Sequence, residues 1–536
     1  MAMRPTRLEE RIMPTKTTRR DFLIRAFVSA LSVSVGPPLA ESTSGQPILP
    51  RIDCAYLDPV ISRAKRICVI TTRIVGGPRA SDWKNIRVSL KLPKGVRTTS
   101  ADGSQHVQME ESQRIDTWTV LATNPTTGTA TVTVTQERKV VAEKQFTISF
   151  HTARAIEHTS YVPTPMPVST GDYLIGAMLC PLWRQTALPG VWNDIAPFPD
   201  RTPVLGYYDE GDPEVSDWEI KFAVEHGINF FVPVWYRQKD NLGKPVRPLY
   251  EHWINGFLQS RYAHMSKFAI LWENSNDVTC GVAGESDLIS NLLNYWITRY
   301  FKSGHYLILD GKPLIYIYTI PKFIQEIGGE AAAARSIRRM REAAVDSGFR
   351  GLILLGCNNT ASVEAVEQMN RIGLDHSYSY HWPTFTPLMP ASESPSSSAV
   401  VEAQKQCWER LAKTAPENII TVSMGWDSTP WKSSSSGVCW RLTPVEFKEL
   451  CRSAKAVMDQ RSPSGLDHRM MLVDNWNEYG EGHYIFPTRQ YAFGYLNAIR
   501  ATFAVPSPAE VEDLTPEDVS LGPYDRLYRA VQTRRS

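Results

Sequence analysis

Two glutamates three residues apart are the groups in this sequence that could do chemistry. Glu478 and Glu481 lie in the stretch 471–487, where an apolar run ends in a loop that contains Gly480. Residues three apart on a strand point to opposite faces, so both carboxyl groups reach one ligand only if the chain turns, which Gly480 permits. Two carboxyl groups on one bond are suited to glycosidic cleavage, one protonated to release the leaving oxygen and one ionised.

The residues around the pair decide between this chemistry and a pair of solvated or helix-capping acids. Trp476, Tyr479, His483 and Tyr484 interleave with the glutamates. Aromatic faces beside acidic groups match the apolar faces and hydroxyl groups of a sugar. The stretch therefore predicts a carbohydrate site.

The segment 476–485, WNEYGEGHYI, resembles the W-N-E-W-x-E-G-x-x-I signature of glycoside hydrolase family 99 and its WbsX-like relatives. Segments 199–213 and 217–228 are similar to the same group, and the resemblance extends from Tyr173 to Tyr524. Tyr479 is a departure, because the pattern more often has Trp there.

The resemblance implies an endo-α-mannosidase-like hydrolase that retains anomeric configuration through a 1,2-anhydro sugar intermediate. In that scheme Glu478 draws the proton from the substrate 2-hydroxyl and Glu481 is the general acid/base. Neither a metal nor another cofactor is required.

Composition is that of a globular protein with two or three domains. The 536 residues are 42% hydrophobic and 21% charged, with a formal net charge of +2. This charge balance gives no reason to expect a nucleic-acid partner. The eight cysteines show no C-x-x-C spacing, so no metal or redox site is expected, and disulfide pairing stays open.

The first 40 residues resemble a twin-arginine export signal. T-T-R-R-D-F-L at 17–23 precedes an apolar run at 26–35 that is too short to span a bilayer. The sequence therefore predicts a periplasmic or secreted bacterial protein without a stable membrane span.

The remaining chain divides by its periodicity. Short β-branched runs separated by turn residues predict a small β-sandwich, Ig-like, over 41–157, which could bind polysaccharide or brace the catalytic domain. A Pro-rich linker follows at 158–172. Strand-like and helix-like segments then alternate eight times over 173–505, which predicts an α/β fold of the (β/α)8 TIM-barrel type. The tail at 506–536 is expected to pack on the barrel.

The predicted barrel strands are 174–181, 229–235, 268–272, 313–318, 351–356, 377–381, 419–424 and 470–474. Chemistry in this fold sits at the carboxyl ends of the strands. The residues expected there to bind substrate are Trp183, Trp235, Tyr236, Trp272, Glu273, Tyr318, His381, Trp382, Trp426, Trp476, Tyr479 and His483.

Several of these polar residues have a structural alternative. Glu273 could be a solvated loop residue, and His381 could be a core histidine bonded to a carbonyl group. Asp212 before Pro213 is expected to cap a helix, and Ser216 with Glu219 has the spacing of a capping box.

The sequence thus predicts an exported glycoside hydrolase whose partner is an oligo- or polysaccharide. One alternative is a WbsX-like glycosyltransferase of surface-polysaccharide assembly, although no Gly-rich phosphate loop or D-x-D motif is present to hold an activated donor. The other alternative is a non-catalytic glycan-binding protein, which would have no need of two acids three residues apart.

Overall fold

The structure is a computed structural model that describes residues 50–59, 61–75, 86–99, 105–110, 113–185, 191–275, 279–392, 394–431, 438–506 and 513–533. The export signal expected at 1–40 lies outside these residues and stays a prediction. Within the described ranges, no helix has both the length and the apolar character needed to cross a membrane.

The first part of the chain forms two antiparallel sheets. Its strands are β1 Arg51–Asp58, β2 Cys68–Val75, β3 Ile86–Lys91, β4 Val96–Thr98, β5 Gln105–Glu110, β6 Gln113–Ala122, β7 Thr126–Gln136 and β8 Lys139–Phe150. One sheet has the order β1-β2-β6 with β4 and β5 both paired to β6, and the other has the order β3-β7-β8. Alternate side chains such as Ile70, Trp118 and Val132 fill the space between the sheets. The predicted sandwich is confirmed, with β1, β4 and β5 as strands that the sequence had not indicated.

The second part is a parallel barrel. Its strands are β9 Leu174–Leu179, β10 Phe230–Arg237, β11 Leu271–Glu273, β12 Lys312–Ile317, β13 Ile353–Cys357, β14 His376–Tyr378, β15 Ile420–Val422 and β16 Met470–Val473. Consecutive strands pair in parallel, and β16 returns to β9 with Val473 opposite Ala177. A bridge between Ser377 and Asn418 links β14 to the start of β15 and closes the ring. The predicted (β/α)8 barrel is confirmed.

Helices connect the strands and cover the barrel. They include Pro213–Val224, His252–Gln259, Ile320–Ile327, Glu330–Asp346, Val363–Ile372, Ser397–Leu411, Pro444–Asp459 and Gly494–Phe503, together with mixed α- and π-helical turns from Glu285 to Phe301. Asp212 caps the first of these as predicted, because its carboxylate accepts the Glu214 N–H at 2.9 Å. The capping box at Ser216 and Glu219 was wrong, since both residues lie inside this helix and are fully buried.

Charged contacts join the sandwich to the C-terminal tail and to the barrel. Arg63 Nε donates to Asp518 Oδ1 at 2.7 Å. Arg489 of the barrel pairs with Asp58 of the sandwich and stacks its guanidinium over the Tyr56 ring, 4.1 Å from the centroid. The sandwich therefore has an extended ionic junction with the barrel.

Candidate active site

Residues 474–487, called the glutamate loop below, follow the carboxyl end of β16 and turn back on themselves. The Gly482 N–H donates to the Glu478 carbonyl at 3.1 Å, and Gly482 has a φ of +76° that favours glycine. This turn brings Glu478 and Glu481 to one place: an oxygen of each and a ring nitrogen of His483 lie within 4.8 Å of one another. Glu478 is 0% exposed and Glu481 is 7% exposed, so the pair is buried rather than solvated.

Glu478 has weak hydrogen-bonding support. Its Oε2 accepts from the Tyr380 hydroxyl at 3.3 Å, and the Cys180 thiol adds a weak hydrogen bond to the carboxyl group. Among the described residues, Oε1 has no further hydrogen-bond partner. Asn475 Nδ2 donates to the same Tyr380 oxygen at 2.8 Å and thereby fixes the phenol. Burial, and then the charge of Glu481, raise the pKa of Glu478 to about 8.

Glu481 is held by a histidine. His483 Nε2 donates to Glu481 Oε2 at 3.0 Å, and His483 Nδ1 lies 3.3 Å from Asp474 Oδ2. Burial alone would lower the pKa of His483, but the two carboxylates outweigh it and raise the pKa to about 10. His483 thus lies between Asp474 and Glu481, and these two carboxylates favour its protonated form.

A second histidine approaches Asp474 from the end of β14. His381 Nδ1 lies 2.9 Å from Asp474 Oδ2, and its Nε2 lies 2.8 Å from Thr384 Oγ1. Burial lowers the pKa of His381 to about 4, so the ring is neutral, donates to Asp474 and accepts from Thr384. His381 is thus a buried core histidine that supports Asp474, with a carboxylate rather than a carbonyl as its partner.

Behind the loop, two further buried glutamates hold the residues that precede Glu478. Glu219 accepts the indole N–H groups of Trp476 at 3.2 Å and Trp253 at 2.8 Å. Glu210 accepts from Asn477 Nδ2 at 2.6 Å. Glu219, which the sequence had suggested as a helix cap, therefore belongs to the support of the loop.

Arg201 fixes the other half of the loop. This arginine is 2% exposed and donates to the Tyr479 carbonyl at 2.6 Å, while it also pairs with the Asp427 carboxylate. The Asp427 N–H in turn donates to the Glu481 carbonyl at 2.6 Å. The backbone on both sides of Glu481 is thus bonded to groups outside the loop.

Half of the residues predicted to bind substrate lie around the glutamate pair. Tyr318 packs on Tyr380 with ring centroids 5.7 Å apart, and Trp426 packs on His483 at 5.3 Å. Glu273 is 6% exposed and accepts from Thr279 Oγ1 at 2.9 Å, so it is not a solvated loop residue. The residues that the structure brings together here are Tyr236, Glu273, Tyr318, His381, Trp426 and His483.

The other six residues predicted to bind substrate lie away from the glutamate pair. Trp235 and Trp272 both pack on Trp296 of the helical layer, because these two strand positions point outward from the barrel. Trp183, Trp476 and Tyr479 are fully buried in the aromatic layer behind the loop, and Trp382 is also fully buried.

Several residues of the site were not among the predicted ones. They are Cys180, Tyr380, Asp474 and Asn475, with Arg201 and Asp427 as the supports of the loop. Asp474 directly follows the last strand, and that position was the only signal the sequence offered for it. The partners of Arg201 are more than 200 residues away in sequence, so no local pattern identifies it.

The same groups are close enough to ligate a cation. His381, Asp474 and His483 offer atoms within 4.8 Å of one another. Both nitrogens of His381, however, face hydrogen-bonding oxygens, and the two carboxylates beside His483 favour its protonated form. A bound metal would have to displace these contacts and the proton of His483, so hydrogen bonding accounts better for the donor set.

Fold and site together define a (β/α)8-barrel protein with a buried pair of carboxyl groups at the ends of its strands. The chain belongs to the family described as Glycosyltransferase WbsX, whose model matches residues 198–499.

The chain is also similar to a curated bacterial protein and to solved structures of a glycoside hydrolase. A protein of Xanthomonas campestris pv. campestris, described as Uncharacterized protein WxcX, is 23% identical over 318 residues, which are 55% of this chain and 42% of that relative. The chain therefore spans less than half the length of the curated relatives it matches. A solved GH99 endo-alpha-mannosidase from Bacteroides thetaiotaomicron is 15% identical with a TM-score of 0.44, covering 62% of this chain and 97% of that chain. A structure of the GH99 endo-alpha-mannosidase in complex with BIS-TRIS-Propane is 14% identical with a TM-score of 0.43, covering 68% of this chain and 100% of that chain.

Proposed function

We propose that this protein is a glycoside hydrolase that cleaves a polysaccharide or glycan with retention of anomeric configuration. The observation that carries the proposal is the buried convergence of Glu478 and Glu481, with carboxylate oxygens within 4.8 Å. The two carboxyl groups are therefore close enough to act on one glycosidic bond, and retention is what the family resemblance implies.

The two carboxyl groups can share the reaction that the family resemblance implies. One carboxyl group gives its proton to the departing glycosidic oxygen while the other accepts the proton of the 2-hydroxyl, whose oxygen attacks the anomeric carbon. Water then opens the 1,2-anhydro sugar with both proton transfers reversed. The resemblance assigns the first role to Glu481 and the second to Glu478.

Unpartnered polar atoms at the site support a hydroxyl-rich ligand. In the part of the chain that the structure describes, the Tyr236 hydroxyl, the Trp426 indole N–H and Glu478 Oε1 are buried without a hydrogen-bond partner. Buried polar groups normally have partners, so these three atoms are suited to bind substrate hydroxyl groups. Trp426 and Tyr318 add aromatic surface for the apolar face of a sugar ring.

The test is a screen for new reducing ends on α-mannan, bacterial exopolysaccharides and marine glycans. We expect activity from the parent protein, and a loss on the order of 10²–10⁴-fold in Glu478→Gln and in Glu481→Gln. Glu449→Gln is the matched control, because Glu449 is an exposed helical residue paired only with Arg452 in the described contacts. Cleavage that survives in both site variants would refute the proposed site.

A glycosyltransferase is the second candidate, and the family description favours it. Such an enzyme would consume a nucleotide- or lipid-linked sugar and lengthen an acceptor glycan, whereas a hydrolase shortens the glycan without a donor. Incubation of the protein with acceptor glycans, with and without nucleotide-sugar donors, separates the two activities. Glycan binding without either reaction would favour the non-catalytic alternative.

A further inference from the structure

A cleft of about 600 Å³ lies between the sandwich and the barrel, and the proposed reaction does not use it. On the sandwich side it is lined mainly by residues 53–57 of β1 and 144–149 of β8. On the barrel side it is lined by residues 199–200 and 489–492. This space, called the junction cleft below, has the volume of a small-molecule site, which is usually about 300–1,000 Å³.

The sandwich side of the junction cleft is made of two strand edges. Among the described strands, β1 pairs only with β2 and β8 pairs only with β7, so each strand ends its sheet. Lys144 Nζ of β8 donates to the Asp53 carbonyl of β1 at 2.8 Å, which places the two edges side by side. Edge strands carry backbone N–H and C=O groups that no neighbouring strand binds, and such groups are available to a hydrogen-bonding ligand.

The barrel side is a tight turn that is fixed by the backbone. The Ala492 N–H donates to the Thr488 carbonyl at 2.8 Å, and Ala492 has a φ of +48°, which is unfavourable for a residue other than glycine. The Gln490 N–H donates to the Asp200 carbonyl at 3.1 Å and thereby joins the turn to residues 199–200. The turn therefore presents its side chains to the cleft in a defined arrangement.

The side chains at the junction cleft combine aromatic rings with amide groups. Tyr56, Phe146 and Tyr491 are half-buried there, and Gln145 and Gln490 are exposed. Rings beside hydrogen-bonding groups match the apolar faces and the hydroxyl groups of a sugar. The cleft thus has the chemistry of a carbohydrate site.

The charged groups of the junction cleft are nearly balanced. Asp53 and Arg489 each pair with an opposite charge on the sandwich. Among the described residues, Lys144 and Asp200 form no ion pair, and their charges are opposite. Burial lowers the pKa of His151, which keeps this residue neutral. An uncharged ligand therefore suits the cleft better than a polyanion, which would meet no surplus of positive charge.

The junction cleft lies at the same end of the barrel as the glutamate pair. Residues 199–200 belong to the segment after β9, and Asp200 directly precedes Arg201, which bonds the glutamate loop. Arg489 follows Glu481 by eight residues, so their Cα atoms are at most roughly 29 Å apart. A polymer can therefore occupy both places at once, whereas a short oligosaccharide reaches only one of them.

We propose that the junction cleft is a second carbohydrate-binding site, which holds one stretch of a neutral polysaccharide while another stretch lies at the glutamate pair. Binding in the cleft stands independently of the proposed hydrolase function. Its role as an anchor for the substrate rests on that function and deepens it. The sandwich then binds polysaccharide as well as bracing the barrel.

The first test measures binding without cleavage. The full chain with Glu481→Gln is run through native gels that contain soluble α-mannan or a neutral β-glucan, and its retardation gives the affinity. We expect at least one of these polysaccharides to retard the protein, and the affinity to fall about tenfold when Gln145→Ala and Gln490→Ala remove two hydrogen-bonding groups. Thr147→Trp, which fills the cleft from an exposed position of β8, should have the same effect. Retardation that stays unchanged in these variants, or no retardation by either polysaccharide, would overturn the proposal.

The matched control is Gln406→Ala with Gln460→Ala. Both glutamines are exposed, and they lie in and directly after barrel helices, outside the junction cleft. This variant should keep the affinity of its parent. Because Gln145 and Gln490 are exposed as well, the midpoints of thermal unfolding should agree between the two double variants, which excludes misfolding as the cause of weaker binding.

The second test compares a long substrate with a short one. On a polysaccharide that the parent protein cleaves, Gln145→Ala with Gln490→Ala should raise KM for the polymer and leave kcat/KM for its short oligosaccharides unchanged. Equal losses on both substrates would place the damage at the glutamate pair and refute the anchoring role. Binding that is lost in the cleft variants, together with no cleavage by the parent, would refute the hydrolase function and leave the second binding site established.

Discussion

Substitution of Gly482 by alanine should damage both the stability and the reactivity of the glutamate loop. A Cβ atom at Gly482 would lie 2.7 Å from the Asp427 nitrogen and 2.9 Å from the Asp427 carbonyl oxygen. Both are backbone atoms that cannot rotate away, and the same Asp427 N–H binds the Glu481 carbonyl at 2.6 Å. The added methyl group must therefore push the two segments apart at Glu481.

The expected loss of stability in Gly482→Ala has two parts. The φ of +76° costs a non-glycine residue roughly 1–2 kcal/mol, and overpacking against fixed atoms costs about 1–3 kcal/mol more. Gly304→Ala is a matched control, since Gly304 has a φ of +78° and no atom of the described residues lies within 4 Å of the added Cβ. Gly304→Ala loses stability only through its backbone conformation, whereas Gly482→Ala also overpacks. Gly482→Ala should therefore be less stable than Gly304→Ala by about 1–3 kcal/mol.

Thermal or urea unfolding of both variants beside the parent protein measures this difference. Because a misplacement of about 1 Å in catalytic groups can lower the rate by roughly 10²-fold, Gly482→Ala should also lose most of its kcat/KM, whereas Gly304→Ala should keep it. Equal stability of the two variants would show that the close approach of Gly482 to Asp427 has no energetic consequence.

Two further predictions follow from buried polar groups. Burial raises the pKa of Glu219 to about 8, above its unfolded value, so the folded state binds this proton more tightly and stability should fall as pH rises from about 4.5 to 8. Melting temperatures across that range should decline less steeply in Glu219→Gln, and parallel curves would contradict the reasoning. For the adjacent strand positions, Trp235→Phe should lower stability by about 1–3 kcal/mol with unchanged KM, because it breaks the 2.8 Å bond to Tyr300 in the helical layer. Tyr236→Phe should instead impair substrate turnover with little loss of stability, and the reverse pattern would place Trp235 at the site.

The alternation of apolar and helical segments in the sequence was sufficient to predict the barrel. Each predicted barrel strand overlaps a real one, because fully buried parallel strands read as short apolar runs between helical segments. The helix Ile320–Ile327 was missed, since Pro321 and its eight-residue length resemble a loop. In the sandwich, β4 has only three residues and gives no periodic pattern.

The facing of side chains could not be read from the sequence. Trp235 and Tyr236 are adjacent, so only one of them can face the barrel interior, and the register with the neighbouring strands decides which. The sequence also shows Glu478 and Glu481 together but hides their supports. His381 lies 93 residues from Asp474, and Arg201 lies 278 residues from Tyr479, so these contacts arise only when the barrel closes.

The contacts between sandwich and barrel also hold the segment that precedes Arg201, the arginine that bonds the glutamate loop. Arg489, which pairs with Asp58 of the sandwich, also donates to the Pro199 carbonyl at 3.0 Å, two residues before Arg201. Arg73 of the sandwich bonds the Pro197 carbonyl on the same segment. Exchange of the sandwich for an unrelated domain is therefore expected to release the segment that carries Arg201, so the two domains should not be freely interchangeable.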